Sequence, residues 1–297
     1  MRPVLRQLLD LLALERIEED IFRGQSQDLG WGAIFGGQVL GQALSAAAQT
    51  VPPTRQVHSL HGYFLRQGDA RRPVVYEVDR IRDGGSFTTR RVVAIQAGRP
   101  IFSLSASFQE EEEGFSHQAP MPGLPGPEGL TSERELARSL AGHLPDSMVG
   151  RFTSDRPIEI RPINPNNPLN PVVGAPQTAV WLRASDPLHD AASTPGGVEA
   201  LHRYLLAYAS DFHFLTTALR PHGVSWLSPG MQIASLDHAM WFYRPIRMDA
   251  WLLHVVESPR AHGGRGLVTG RFYDQSGELV ACTVQEGLIR LRVPREP

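Results

Sequence analysis

The stretch HGYFLRQGDARRPVVYEV, residues 61–78, is written again in outline as AMWFYRPIRMDAWLLHVV, residues 239–256. Phe64-Leu65-Arg66 falls on Phe242-Tyr243-Arg244, a shift of 178 residues (242 less 64). The same shift sets Val74, Tyr76 and Val78 on Leu252, His254 and Val256, one alternating strand on another. Gly85 then meets Gly263 at the following turn. With one inserted residue, Gly98-Arg99-Pro100 meets Gly277-Glu278-Leu279, and Ile101 meets Val280. Each copy, His58–Phe108 and Leu236–Gly287, reads as strand, turn, strand, tight glycine turn, strand.

A helix precedes the strands of each copy. In the first, Gly36-Gly37 opens the Ala/Leu-rich segment Gln38–Gln49. Two glycines let a ligand approach the backbone, and the helix start beyond them carries partial positive charge. In the second, Val198–Leu219 is expected as one helix, apolar at Leu201, Leu205, Leu206, Tyr208, Ala209, Phe212 and Leu215. A helix apolar around most of its circumference is buried on nearly all sides. The fold class is α+β, with residues 1–110 as one unit led by an amphipathic helix. Residues 111–150 read as an acidic, Pro/Gly-rich solvated linker with a short helix near Ser132–Leu140, and 151–297 as the second unit.

Composition removes several classes of function. The 297 residues are 41% hydrophobic and 20% charged with a formal net charge of −2, and no basic run exceeds two residues. That is not the footprint of a nucleic-acid binder. All 29 basic residues are Arg, so neither a lysine Schiff base nor a P-loop lysine is available. The single cysteine, Cys282, precludes an internal disulfide. It lies in the apolar strand Leu279–Val284 and reads as core. No apolar run approaches the ~20 residues of a membrane span. The N-terminal leucines are interrupted by Arg6, Gln7 and Asp10 at helical spacing, unlike a signal peptide, so a cytoplasmic location is expected. No Ser stands in G-x-S-x-G, and His58 and His61, three apart on a strand, face opposite ways. No metal site is expected.

Six stretches, in order, resemble the acyl-CoA thioesterase II family. They are FRGQSQDLGWGAIFGGQVLGQAL (Phe22–Leu44), HSLHGYFLRQGD (His58–Asp69), IRDGGSFTTRRVVAIQ (Ile81–Gln96), YASDFHFL (Tyr208–Leu215), ASLDHAMWFYRP (Ala234–Pro245) and VQEGLIR (Val284–Arg290). The likeness spans nearly the whole chain. It implies a double hotdog, two copies of a long helix wrapped by a curved antiparallel sheet. It also implies hydrolysis of an acyl-CoA, here expected to be of medium to long chain, without a cofactor. Homo-oligomers, dimers or tetramers, are part of the same implication. Family members hold the attacking water with an Asp, a Thr or Ser, and a Gln. Carried over by motif, these are Asp211, Ser235 and Gln285. Ser235 stands where many relatives have Thr, which keeps the hydroxyl but loses the methyl that pins its rotamer.

The residues themselves fit those roles. Asp211 sits among Tyr208, Ala209, Phe212 and Leu215, where an unpaired carboxylate would be costly. Gln285 interrupts a core strand, and its counterpart in the first copy is Ala106, so one half carries an amide that the other lacks. Gly36 and Gly37 are candidates for substrate contact, as are Arg82, Gly84 and Ser86 in Arg82-Asp83-Gly84-Gly85-Ser86. Arg82 could meet coenzyme A phosphates, or the segment is a plain hairpin turn. His238 lines the pocket or belongs to the core, and the same holds for Trp241. Two rivals stand beside hydrolysis: a hotdog dehydratase, which needs an Asp/His pair, and an acyl-CoA binding module without turnover.

Overall fold

The computed structural model describes residues 1–143, 146–188 and 197–292. The chain opens with α1 (Pro3–Leu12) and the hairpin β1 (Glu15–Glu18) and β2 (Ile21–Gly24). Then come α2 (Gly36–Ala48), β3 (Gln56–Phe64), β4 (Val74–Asp83), β5 (Phe87–Gln96) and β6 (Arg99–Gln109). After α3 (Glu133–Ser139) and α4 (Asp146–Thr153), the second half runs β7 (Ile158–Pro162), β8 (Gln177–Ala184) and α5 (Gly197–Ser210). It closes with β9 (Met231–Ser235), β10 (Asp237–Phe242), β11 (Leu252–His262), β12 (Arg265–Asp274) and β13 (Leu279–Leu291).

All pairings are antiparallel, in the order β1-β2-β4-β5-β6-β3-β10-β13-β12-β11-β8-β7, with β9 added to β13. The repeat is visible in this order, because β3, β6, β5 and β4 recur as β10, β13, β12 and β11. The two sets join edge to edge where His61 faces Ala239. Those residues are one repeat apart, so a pseudo-two-fold axis passes through the pair. Two long helices held against one twice-written antiparallel sheet make the α+β double hotdog. Among the described residues no helix is long and apolar enough to cross a membrane.

The helices are packed by backbone. A Cβ on Gly37 would collide with the Tyr208 carbonyl oxygen, so α2 and α5 approach as only glycine allows. Leu5, Leu8 and Leu12 of α1 are at most 1% exposed. Each contributes about 1.5–3 kcal/mol of burial. The buried Gln42 amide donates to the Leu11 and Gln25 carbonyls at 2.6 and 2.8 Å and accepts from the Tyr76 hydroxyl at 2.7 Å. That satisfies an otherwise costly group in the core.

Three expectations change. The second long helix ends at Ser210, not Leu219, because His213 adopts a left-handed φ of 56° and the chain resumes as a 3-10 turn, Leu215–His222. Asp211 is therefore the first residue beyond α5. Cys282 is only partly buried, on the outer face of its strand. A bulge sets Tyr273 against Leu279 but Phe272 against Ala281, so Ala281, Thr283 and Gln285 point inward. The Pro/Gly-rich linker is not simply solvated either. Its residues 111–118 are exposed, but Met121, Leu124 and Leu130 pack on Trp181, Trp251 and Tyr273. The Trp181 indole N–H donates to the Pro125 carbonyl at 2.8 Å. Trp181 of β8, Tyr273 of β12 and Trp251, just before β11, make this outer face aromatic, and the linker covers it.

Candidate active site

Three segments converge at the junction of α2 and α5. Asp211 turns back from the end of α5 against the start of α2, where Gly37 donates its backbone N–H to the carboxylate. Gly36 leaves room for it, since a Cβ there would lie 2.6 Å from Asp211 Oδ2. Ser235 ends β9, and its hydroxyl stands 3.4 Å from Asp211 Oδ1. Gln285 lies on β13, and its Nε2 donates to the same Oδ1 at 3.3 Å and to Ser235 Oγ. The motif-assigned trio is thus one hydrogen-bonded cluster, although Asp211 and Gln285 are 74 residues apart.

Burial pushes the Asp211 carboxyl up to about 6, against the opposing pull of the Gln285 amide, the Gly37 N–H and the Ser235 hydroxyl. A carboxylate in that range is ionised at neutral pH yet basic enough to take a proton.

His238 is fully buried and lies behind Gln285, not on the cavity surface. Its Nδ1 is 3.2 Å from Gln285 Oε1, and its Nε2 is 2.9 Å from Ser210 Oγ. Gln285 Nε2 already serves two acceptors, so Oε1 can only accept and His238 carries its proton on Nδ1. Burial lowers this imidazole to about 4, leaving it neutral. Of the two readings open for His238, pocket wall or core, the structure takes the second and makes it a brace for Gln285. Trp241 is partly exposed on the outer face, edge-on to His61.

Asp211 opens onto a cavity of about 940 Å³, within the range of pockets that take an extended ligand. Phe35, Tyr208 and Phe212 form its wall beside the carboxylate, with Phe35 and Phe212 stacked at 4.5 Å. Trp31, Phe152 and Trp226 form an aromatic group farther out. The linker helix α3 closes over it through Glu133, 2.8 Å from His213 Nε2. The sequence reading missed these aromatic walls, which come from four separate segments. It also missed Ser210, although that residue immediately precedes Asp211. Gly36 and Gly37 touch Asp211 but do not line the cavity.

The structure does not bring Arg82, Gly84 and Ser86 to this cluster within the chain. They form the tip of the β4–β5 hairpin, where Arg55 donates to the Gly84 carbonyl at 2.8 Å and also to that of Gly85. Neighbouring Arg90 donates to Thr50, just past the C-terminal end of α2. The 13-residue α2 separates that end from Gly36 by about 20 Å. Arg82 and Ser86 are exposed there. Among the described residues no group of three or more His, Cys, Asp or Glu is placed to hold a metal ion.

Comparison with known proteins bears on the whole chain. Residues 148–288 match the family described as acyl-CoA thioesterase, and residues 26–109 match that described as acyl-CoA thioesterase N-terminal domain. Acyl-CoA thioesterase 2 of Haemophilus influenzae is 43% identical over 290 residues, covering 98% of this chain and 99% of the relative. Acyl-coenzyme A thioesterase 8 of Homo sapiens is 41% identical, covering 95% and 88%. The crystal structure of the acyl-CoA thioesterase II TesB2 from Mycobacterium marinum superposes with a TM-score of 0.77 at 41% identity, covering 98% of this chain and 100% of that one.

Proposed function

The chain belongs to the acyl-CoA thioesterase family, and from that premise we propose that it hydrolyses medium- to long-chain acyl-CoA at Asp211, Ser235 and Gln285. Asp211 takes a proton from a water held by the Ser235 hydroxyl and the Gln285 amide. The hydroxide so formed attacks the thioester carbonyl carbon. The tetrahedral intermediate collapses with loss of the coenzyme A thiolate, and the protonated Asp211 returns its proton to that sulfur. General-base assistance of this kind is worth roughly 10²–10⁴-fold. The positive end of α2 lies against the same carboxylate and favours the developing oxyanion.

The observation that carries this reading is a carboxyl raised to about 6, with an amide and a hydroxyl on one of its oxygens, facing a large apolar cavity. The cavity of about 940 Å³ supports the longer acyl chains. Thiol release from an acetyl- to palmitoyl-CoA series, with wild type beside Asp211→Asn and Gln285→Ala, is the test. Loss of about 10²-fold or more in kcat in both variants is expected. A wild-type protein that binds acyl-CoA yet releases no thiol would make it a binding module instead. Assembly into a homo-oligomer belongs to the same proposal, and light scattering of the purified chain decides it.

A further inference from the structure

The pseudo-two-fold axis implies a second site related to the first, and its residues can be named. Ser235 pairs with Gly287 on β13 as Val57 pairs with Phe108 on β6. Gln285 corresponds to Ala106, and Asp211, which follows α5, corresponds to Gln49, which follows α2. The polar trio is thus Gln49, Val57 and Ala106 in the first half, with no carboxylate and no hydroxyl. This space has nevertheless not been filled by larger side chains. A cavity of about 320 Å³ remains, lined by Gln49, Val57 and Phe108 together with Arg55, Arg203 and Tyr204.

This counterpart of the Asp211 site has, among the described residues, no acid in its lining, and two guanidinium groups line it. Arg203 is only 6% exposed, and its Nε–H is buried without a hydrogen-bond partner among the described residues. The Gln49 side-chain Nε2 is buried without a partner in the same way. A buried donor without an acceptor is destabilising. The acids that balance the two arginines sit at the rim, at least half exposed. Glu199 meets Arg203 Nη1 at 2.9 Å, and Glu110 is 3.8 Å from Arg55 Nε. The other polar contacts of these arginines run to Gln56 for Arg203, and to Gly84, Gly85 and Thr88 for Arg55. The lining also includes the apolar Val51, Val57 and Phe108.

We propose that this cavity, the pseudo-symmetric counterpart of the Asp211 site, binds a small carboxylate carried on a short apolar stem. The carboxylate lies against Arg203, Arg55 and Gln49, and the stem runs along Val57 and Phe108. An apolar cavity of about 150 Å³ holds one benzene, so about 320 Å³ suits a stem of roughly six to eight carbons. The inference stands apart from the hydrolysis reading, since it rests on a different pocket about one helix length away.

Calorimetric titration of the full chain with octanoate tests it, with octan-1-ol and inorganic phosphate as control probes. Binding in wild type should persist in Asp211→Asn and weaken at least tenfold in both Gln49→Glu and Arg203→Met. Octanol and phosphate should each bind at least tenfold more weakly than octanoate. Arg203→Met removes a buried charge that holds Glu199, so its melting temperature is measured first. Gln49→Glu is isosteric and decides the matter if Arg203→Met does not fold. Octanoate binding that survives Gln49→Glu unchanged, or that is lost in Asp211→Asn alone, overturns the proposal. Octanol binding as tightly as octanoate, or phosphate matching it, does so too.

Discussion

Replacing Asp211 by asparagine should stop turnover and at the same time stabilise the fold at alkaline pH. The carboxyl is raised from 3.8 to about 6 by burial, which corresponds to about 3 kcal/mol between its two protonation states. The folded state therefore holds the proton more tightly than the unfolded chain. Its stabilising contribution is complete below pH 3.8 and lost as pH rises through about 6. At pH 8 the wild type carries an ionised, poorly solvated carboxylate that the Asp211→Asn variant lacks. Two terms reduce the gain. Asp211 is partly open to the cavity, and the asparagine amide can accept fewer hydrogen bonds from Gly37, Ser235 and Gln285, a loss of about 1 kcal/mol. The variant should thus be more stable by about 1–2 kcal/mol at pH 8. At pH 4 the difference should vanish or reverse slightly. Urea denaturation of both proteins at the two pH values measures this, because every other titrating group is common to them and cancels. A variant no more stable than wild type at pH 8, or one with the same advantage at both pH values, would refute the claim that folding desolvates this carboxylate.

Other outcomes follow from the same cluster. The kcat/KM of the wild type should fall about tenfold per pH unit below about 6, where Asp211 becomes protonated, and level off above 7. Gln285→Ala should move that inflection upward, since its amide favours the ionised form, and a pH–rate profile of each protein reads both effects. In Gly36→Ala the new methyl meets Asp211 Oδ2, so thiol release should drop at least tenfold while the melting temperature changes little. Acid lability is predicted from the buried imidazoles, His238 lowered to about 4 and His254 to about 3 from the usual 6.5. Their stabilising effect is full above pH 6.5 and drains away as pH falls through those lower values. The melting temperature of His254→Leu should therefore depend less steeply on pH between 7 and 4 than that of wild type, and an unchanged slope would exclude His254 as a cause.

The repeat, its strands and its turns are legible in the sequence because period-two alternation and glycine turns are local signals. So is the chemical oddity of Asp211 and Gln285, polar groups in apolar runs. Local signals gave out where both faces of an element are apolar. Cys282 and Gln285 share such a strand, and only the bulge at Val280 decides which of them points inward. The helical period continues from Ser210 to Leu219, yet the helix stops at Ser210, so that Asp211 can face the start of α2. The Arg82–Ser86 turn resembles a site segment in sequence, but the strand order carries it to the far end of α2. The sequence by itself determined which residues alternate, turn and carry polar groups. Tertiary structure alone decided which of those groups meet. Convergence depends on strand order and helix crossing, set by close packing of the whole core, and no window of neighbouring residues contains that information.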